Sequence, residues 1–125
     1  MILLIAADWQ FRALVRAQLL EEGHEVRAFP ELKLALFHLE RGGPQPQLAI
    51  VDTSGLKIEP DDVYGLWQST AQAPLLLCVD LFGRELLDQA GMPPARLLVR
   101  PFRVGDVVSE VRRMGIWPQV DRTDT

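Results

Sequence analysis

Leu48-Ala49-Ile50-Val51-Asp52-Thr53-Ser54-Gly55 opens with four apolar residues in a row, meets one carboxylate and then turns polar. An unbroken apolar run bounded by turn residues is the pattern of a strand covered on both faces, as in a parallel sheet. Asp52 then falls at the C-terminal end of a central strand, the end at which open α/β sheets bind their ligands.

The same pattern recurs on either side. Residues 2–6 (Ile-Leu-Leu-Ile-Ala) and 74–79 (Pro-Leu-Leu-Leu-Cys-Val) are further buried strands, residues 24–29 alternate weakly as a strand nearer the edge, and residues 96–99 supply a fifth. Helical spacing fills the gaps. Asp8 offers an N-cap to a helix carried by Phe11, Leu14, Val15, Leu19 and Leu20 and stopped by Gly23. Pro30 opens a second helix on Leu32, Leu36 and Leu39, and Asp61 or Asp62 caps a third on Val63, Leu66 and Trp67. Residues 84–90 read as a short fourth helix, and residues 104–114 as a last one on Val104, Val107, Val108 and Val111. Strands alternating with helices predict a three-layer, doubly wound α/β fold, with five parallel strands in the flavodoxin-like order 2-1-3-4-5. The domain spans residues 1–114, and residues 115–125 form a short tail whose only large apolar anchor is Trp117.

Composition narrows the function. The chain has 125 residues, 48% of them hydrophobic, enough for one core without a disulfide or structural metal. Its single cysteine, Cys78, reads as a small buried hydrophobe inside a strand, and no Cys/His zinc set is present. No apolar run approaches the roughly 18 residues of a membrane span, so a cytoplasmic protein with no membrane partner is expected. The formal charge is −4 and no basic run occurs, so direct nucleic-acid binding is not expected.

At the carboxyl ends of the central strands lie Ala6, Ala7, Asp8, Asp52, Val79, Asp80 and Arg100. The first loop, Ala6-Ala7-Asp8-Trp9-Gln10, lacks the glycines and hydroxyls that would cradle a phosphate, so no bound cofactor is expected there.

Over residues 1–114 the chain resembles the receiver domain of two-component response regulators. Leu48-Ala49-Ile50-Val51-Asp52 is similar to the strand ending in the phosphoacceptor aspartate, and Leu20-Glu21-Glu22-Gly23-His24-Glu25-Val26 to the exit of the first helix. Residues 74–79 are similar to the strand ending in the switch hydroxyl, and Leu98-Val99-Arg100-Pro101-Phe102 to the Lys-Pro-Phe signature. The resemblance implies Asp52 as the phosphoacceptor equivalent and a non-enzymatic role in signalling. It also implies a face made by the fourth helix, fifth strand and last helix, used for homodimers or a protein partner, with Phe82, Leu86, Arg96, Arg103, Glu110 and Arg113 as candidates.

The departures are specific. An ungapped count back from Gly23 puts the family's acid pair on Ala6 and Ala7, and the resemblance of residues 74–79 and 98–102 puts its switch hydroxyl on Val79, its lysine on Arg100 and its switch aromatic, three positions earlier, on Leu97. Magnesium takes near-octahedral oxygen ligands, and its charge offsets repulsion as a phosphoryl donor approaches a carboxylate. With both acids gone, a degenerate pseudo-receiver without cofactor is expected. The alternative keeps Asp52 as a true phosphoacceptor with Mg2+ held by Asp8 and Asp52, against the simpler reading of Asp8 as a helix cap. A further alternative puts a small ligand in the emptied pocket of Ala6, Ala7, Trp9 and Val79. Arg100 has a planar fork able to grip a carboxylate bidentately, which predicts a standing Asp52–Arg100 ion pair; otherwise Asp52 caps its own loop through the N–H of Ser54 or Gly55.

Overall fold

The computed structural model describes residues 1–80, 85, 88, 89 and 91–119. Five parallel strands, β1 (Ile2–Ile5), β2 (Val26–Phe29), β3 (Leu48–Asp52), β4 (Leu75–Val79) and β5 (Arg96–Val99), form one sheet in the order β2-β1-β3-β4-β5. The helices are α1 (Trp9–Glu21), α2 (Leu32–Glu40), α3 (Pro60–Ser69) and α4 (Val104–Arg113), the last in the chain. The fourth helix expected at residues 84–90 falls largely outside the described residues, as do Phe82 and Leu86.

Strand alternation divides the core into two layers. Leu3, Ile5, Ala49, Val51, Leu75 and Leu77 face α2 and α3, while Ile2, Leu4, Leu48, Ile50, Leu76 and Cys78 face α1 and α4. Every side chain of β1, β3 and β4 is buried, which explains why these three strands read as continuous apolar runs. On the outer faces, α4 is tied to α1 by the Arg112–Glu22 ion pair.

Local chemistry adjusts several boundaries. Asp8 caps α1, its Oδ1 accepting from the N–H groups of Gln10 (2.9 Å) and Phe11 (3.3 Å). Gly23 follows the helix at φ +96°, a conformation that costs a side chain but not glycine. Pro30 lies outside α2, whose N-cap is Glu31. In α3 the proline at the first position, Pro60, puts the cap at Glu59 and moves Asp61 and Asp62 into the first turn. There the Asp62 carboxylate accepts from the Glu59 N–H at 3.0 Å. Two tryptophans differ from each other: Trp67 packs on the α2–α3 layer as expected, whereas Trp9 is 67% exposed.

Candidate functional site at the carboxyl ends of the strands

β3 delivers Asp52 to the top of the sheet, where the carboxylate is only 1% exposed. Burial of an ionised group is costly unless it is paired and hydrogen-bonded, and here it is both. Arg100, one residue beyond β5, donates from Nη1 to Oδ1 and from Nη2 to Oδ2, each at 2.8 Å. The two groups thus meet fork to fork across β4, the geometry a lysine ammonium cannot supply. The Ser54 N–H adds a third bond to Oδ1 at 3.2 Å, so the ion pair and the loop cap coexist.

The guanidinium is itself held in place. Its carbon lies 4.8 Å from the Phe102 ring centre and 5.5 Å from that of Phe11, and those rings meet edge to face at 6.0 Å. A cation over ring faces is attracted by their quadrupoles. Hydrogen bonding to Asp52 pushes the Arg100 pKa above its ordinary value, outweighing the opposing effect of partial burial. One strand away, burial pushes the Cys78 thiol up to about 12, and the Asp52 charge adds to that effect. Cys78 is fully buried, a core side chain.

At Ala6 and Ala7 the main chain holds a cation. Ala6 is buried, and the Arg12 guanidinium donates from Nη1 to the Ala6 carbonyl at 2.7 Å and the Ala7 carbonyl at 3.4 Å. From the other side the loop after β3 packs down on Ala7: Gly55 has φ +75°, and a Cβ added there would stand 3.3 Å from that of Ala7. Asp8 points its carboxylate at the start of α1. Among the described residues no group of three His, Cys, Asp or Glu side chains converges as a metal-ligand set. Val79 is buried, and its carbonyl accepts from the Arg100 N–H at 2.7 Å. Leu97 is partly buried beside Leu77 in the α2–α3 layer. Trp9 turns away from this site into a groove beside β2, and neither that groove nor a second one near Trp67 is lined by Ala6, Ala7 or Val79.

The β5–α4 face departs from expectation at Glu110, which is 5% exposed and so cannot itself be a contact residue. Its carboxylate sits against Arg96 (2.8 Å) and Arg113 (3.6 Å). The Arg96 contact is an ion pair lacking an aligned hydrogen bond, because Oε1 has no hydrogen-bond partner. Arg96, Arg103 and Arg113 are exposed, with the Arg103 N–H donating to Asp106 at 2.7 Å to open α4. Val107 is core. Trp117 is 61% exposed, although its carbonyl accepts from Gln47 Nε2 at 3.4 Å. Arg12, Phe11 and Phe102 were not candidates from sequence.

Solved structures share this architecture. The chain is similar to the receiver domain of NtrX from Brucella abortus, at 20% identity over 90% of this chain and 96% of that one, with a TM-score of 0.70. It is similar to a chemotaxis protein from Vibrio cholerae at 17% identity, 90% and 95% coverage and a TM-score of 0.71. A structure described as adenylate cyclase from Rhodopirellula baltica matches at 18% identity, 92% and 85% coverage and a TM-score of 0.73. No protein-family model matches the sequence, and neither does any curated protein. The fold is that of a response-regulator receiver domain, flavodoxin-like with strand order 2-1-3-4-5.

Proposed function

We propose that the protein is a pseudo-receiver: a non-enzymatic module that acts in signalling through protein–protein contact, without Mg2+-dependent phosphorylation of Asp52. The observation that carries this reading is the occupancy of Asp52. Both of its oxygens are held at 2.8 Å by one guanidinium, so an incoming phosphoryl donor would have to displace Arg100 from the carboxylate. Phosphoryl transfer depends chiefly on positioning and charge stabilisation, and the positions that would hold a metal are two alanines whose carbonyls already bind Arg12. At the switch positions, Val79 and Leu97 carry no hydroxyl and no ring with which to register a phosphoryl group.

The β5–α4 surface, with Arg96, Arg103 and Arg113 exposed around the buried Glu110, is the proposed contact face for a protein partner or a second copy. Among the described residues no helix is long and apolar enough to cross a membrane. Incubation with Mg2+ and acetyl phosphate, followed by intact mass, is the direct test. No 80 Da adduct is expected, and beryllofluoride should leave amide chemical shifts unchanged. An adduct mapped to Asp52 would overturn the proposal in favour of the phosphoacceptor reading. Light scattering after size exclusion reports whether the contact face makes a homodimer.

A further inference from the structure

A separate concave surface, not lined by Asp52, lies beside α1. A groove of about 620 Å³ runs between α1, the edge strand β2 and His38 of α2. That volume suits a small ligand. Three guanidinium-bearing residues, Arg12, Arg16 and Arg27, line it and, among the described residues, no carboxylate does, on a chain whose formal charge is −4. The Arg16 side chain has no ion-pair or hydrogen-bond partner among the described residues. Among the described residues Arg27 is held by Glu25 alone, at 3.0 Å and with both side chains about half exposed, a pairing readily exchanged for another anion.

The groove also offers flat apolar surface. Trp9 stands at its rim 67% exposed, and Phe29 stacks on His38 at 5.3 Å, with ring planes 43° apart. His38 contributes its ring and not a hydrogen bond, since its Nε2 is turned onto Gly43, where an added Cβ would stand 2.6 Å away. An exposed ring beside one guanidinium without a partner among the described residues and a second in an exposed, exchangeable pair attracts a π-system carrying negative charge.

An added peptide strand is disfavoured. The carbonyls of Glu25 and Phe29 accept from Ile2 and Ala6 of the β1 segment, so alternation turns the backbone of Val26 and Ala28 outward. Val26 is only 5% exposed, which closes half of that edge to main-chain pairing.

We infer that the groove between α1 and β2 binds a small planar ring bearing an anionic group, of the nucleoside-phosphate class, with Trp9 stacking on the ring and Arg16 and Arg27 holding the anion. Arg12, which also donates to the Ala6 and Ala7 carbonyls, would join this groove to the loop at the top of the sheet. The site is independent of the pseudo-receiver reading.

Isothermal titration of the full chain with the four ribonucleoside 5′-monophosphates tests it, with inorganic phosphate and the bare nucleosides as part-ligands. At least one monophosphate is expected to bind, with each of its two parts weaker by about tenfold or more, the scale of a lost stacking or charge contact. Trp9→Ala and Arg16→Ala, both at exposed positions, should each weaken binding by about tenfold while leaving the circular dichroism spectrum unchanged. Absence of binding by all four at millimolar concentration would overturn the inference, as would equal affinity for phosphate alone or wild-type affinity in both variants. A single-stranded oligonucleotide binding far more tightly than any monophosphate would also overturn it, replacing a small-ligand site with a polymer surface.

Discussion

Replacing Arg100 with Met isolates the worth of the Asp52 pair. Methionine keeps a long flexible stem against Phe11 and Phe102 but removes the charge and both donors, leaving a carboxylate that is 1% exposed with a single bond, from the Ser54 N–H at 3.2 Å. Removing one partner of a buried pair costs about 3–5 kcal/mol, most of it the penalty of the charge left behind. Arg100 is itself 31% exposed, so water reaches the site and the lower end, about 3 kcal/mol, is the expected loss. For a domain of this size each kcal/mol moves Tm by about 3–4 °C, which predicts a fall of about 10 °C for Arg100→Met. Asp52→Asn in the Arg100→Met background should recover much of this, and thermal and urea unfolding of the four proteins completes a double-mutant cycle. A coupling of at least about 1.5 kcal/mol is expected, since groups in direct contact do not behave additively. Arg100→Lys should fall between wild type and Arg100→Met, keeping the charge but losing the fork. A loss below about 1 kcal/mol for Arg100→Met, or strict additivity in the cycle, would refute the assignment of the pair as the fixed centre of the site.

Three further outcomes are expected. Because the Cys78 pKa is raised from its usual 9.0 to about 12, the thiol stays neutral in the folded chain while the unfolded chain ionises, so stability is lost as pH rises above 9. The loss should approach about 1.4 kcal/mol per pH unit, and Cys78→Ala should remove that part of the alkaline slope in chemical denaturation. His24 has its pKa lowered, first by burial and then by the chain's amino terminus, so the unfolded state takes up the proton first. Stability should therefore fall as pH drops below 6.5, and His24→Gln should flatten that limb of a Tm-against-pH curve. Restoring one acid with Ala7→Asp should not confer Mg2+ affinity by titration calorimetry, because Arg12 occupies the neighbouring carbonyls and Arg100 holds Asp52; millimolar binding by this variant would contradict the rebuilt-site geometry.

The strand order was legible because burial on both faces writes itself as apolar runs in β1, β3 and β4, and because crossover handedness leaves few topologies. The meeting of Asp52 and Arg100 was legible for the same reason: each ends a strand, and strand ends converge. What sequence did not reveal depends on side-chain direction within one turn. Glu110 reads as a surface acid, yet its place on the inner stripe of α4 buries it between Arg96 and Arg113. Trp9 reads as a wall of the emptied pocket, yet as the first residue of α1 it lines the groove beside β2. Arg12 carries no signal of its role, since a bond to main-chain carbonyls leaves no pattern in the partner's letters.

The bridge from Asp52 to Arg100 spans β4, while the main chain beneath it is stitched on both sides: the Thr53 N–H donates to the Cys78 carbonyl, and the Arg100 N–H to the Val79 carbonyl. Three strand ends are thereby closed into one ring of two backbone hydrogen bonds and one ion pair, joined by the peptide bonds between neighbouring residues. Such a ring does not fray one strand at a time. The amides of Thr53 and Arg100 should exchange with solvent only through the opening that unfolds the whole sheet, so the end of the fold where loops ordinarily loosen first behaves here as part of its slowest-exchanging core.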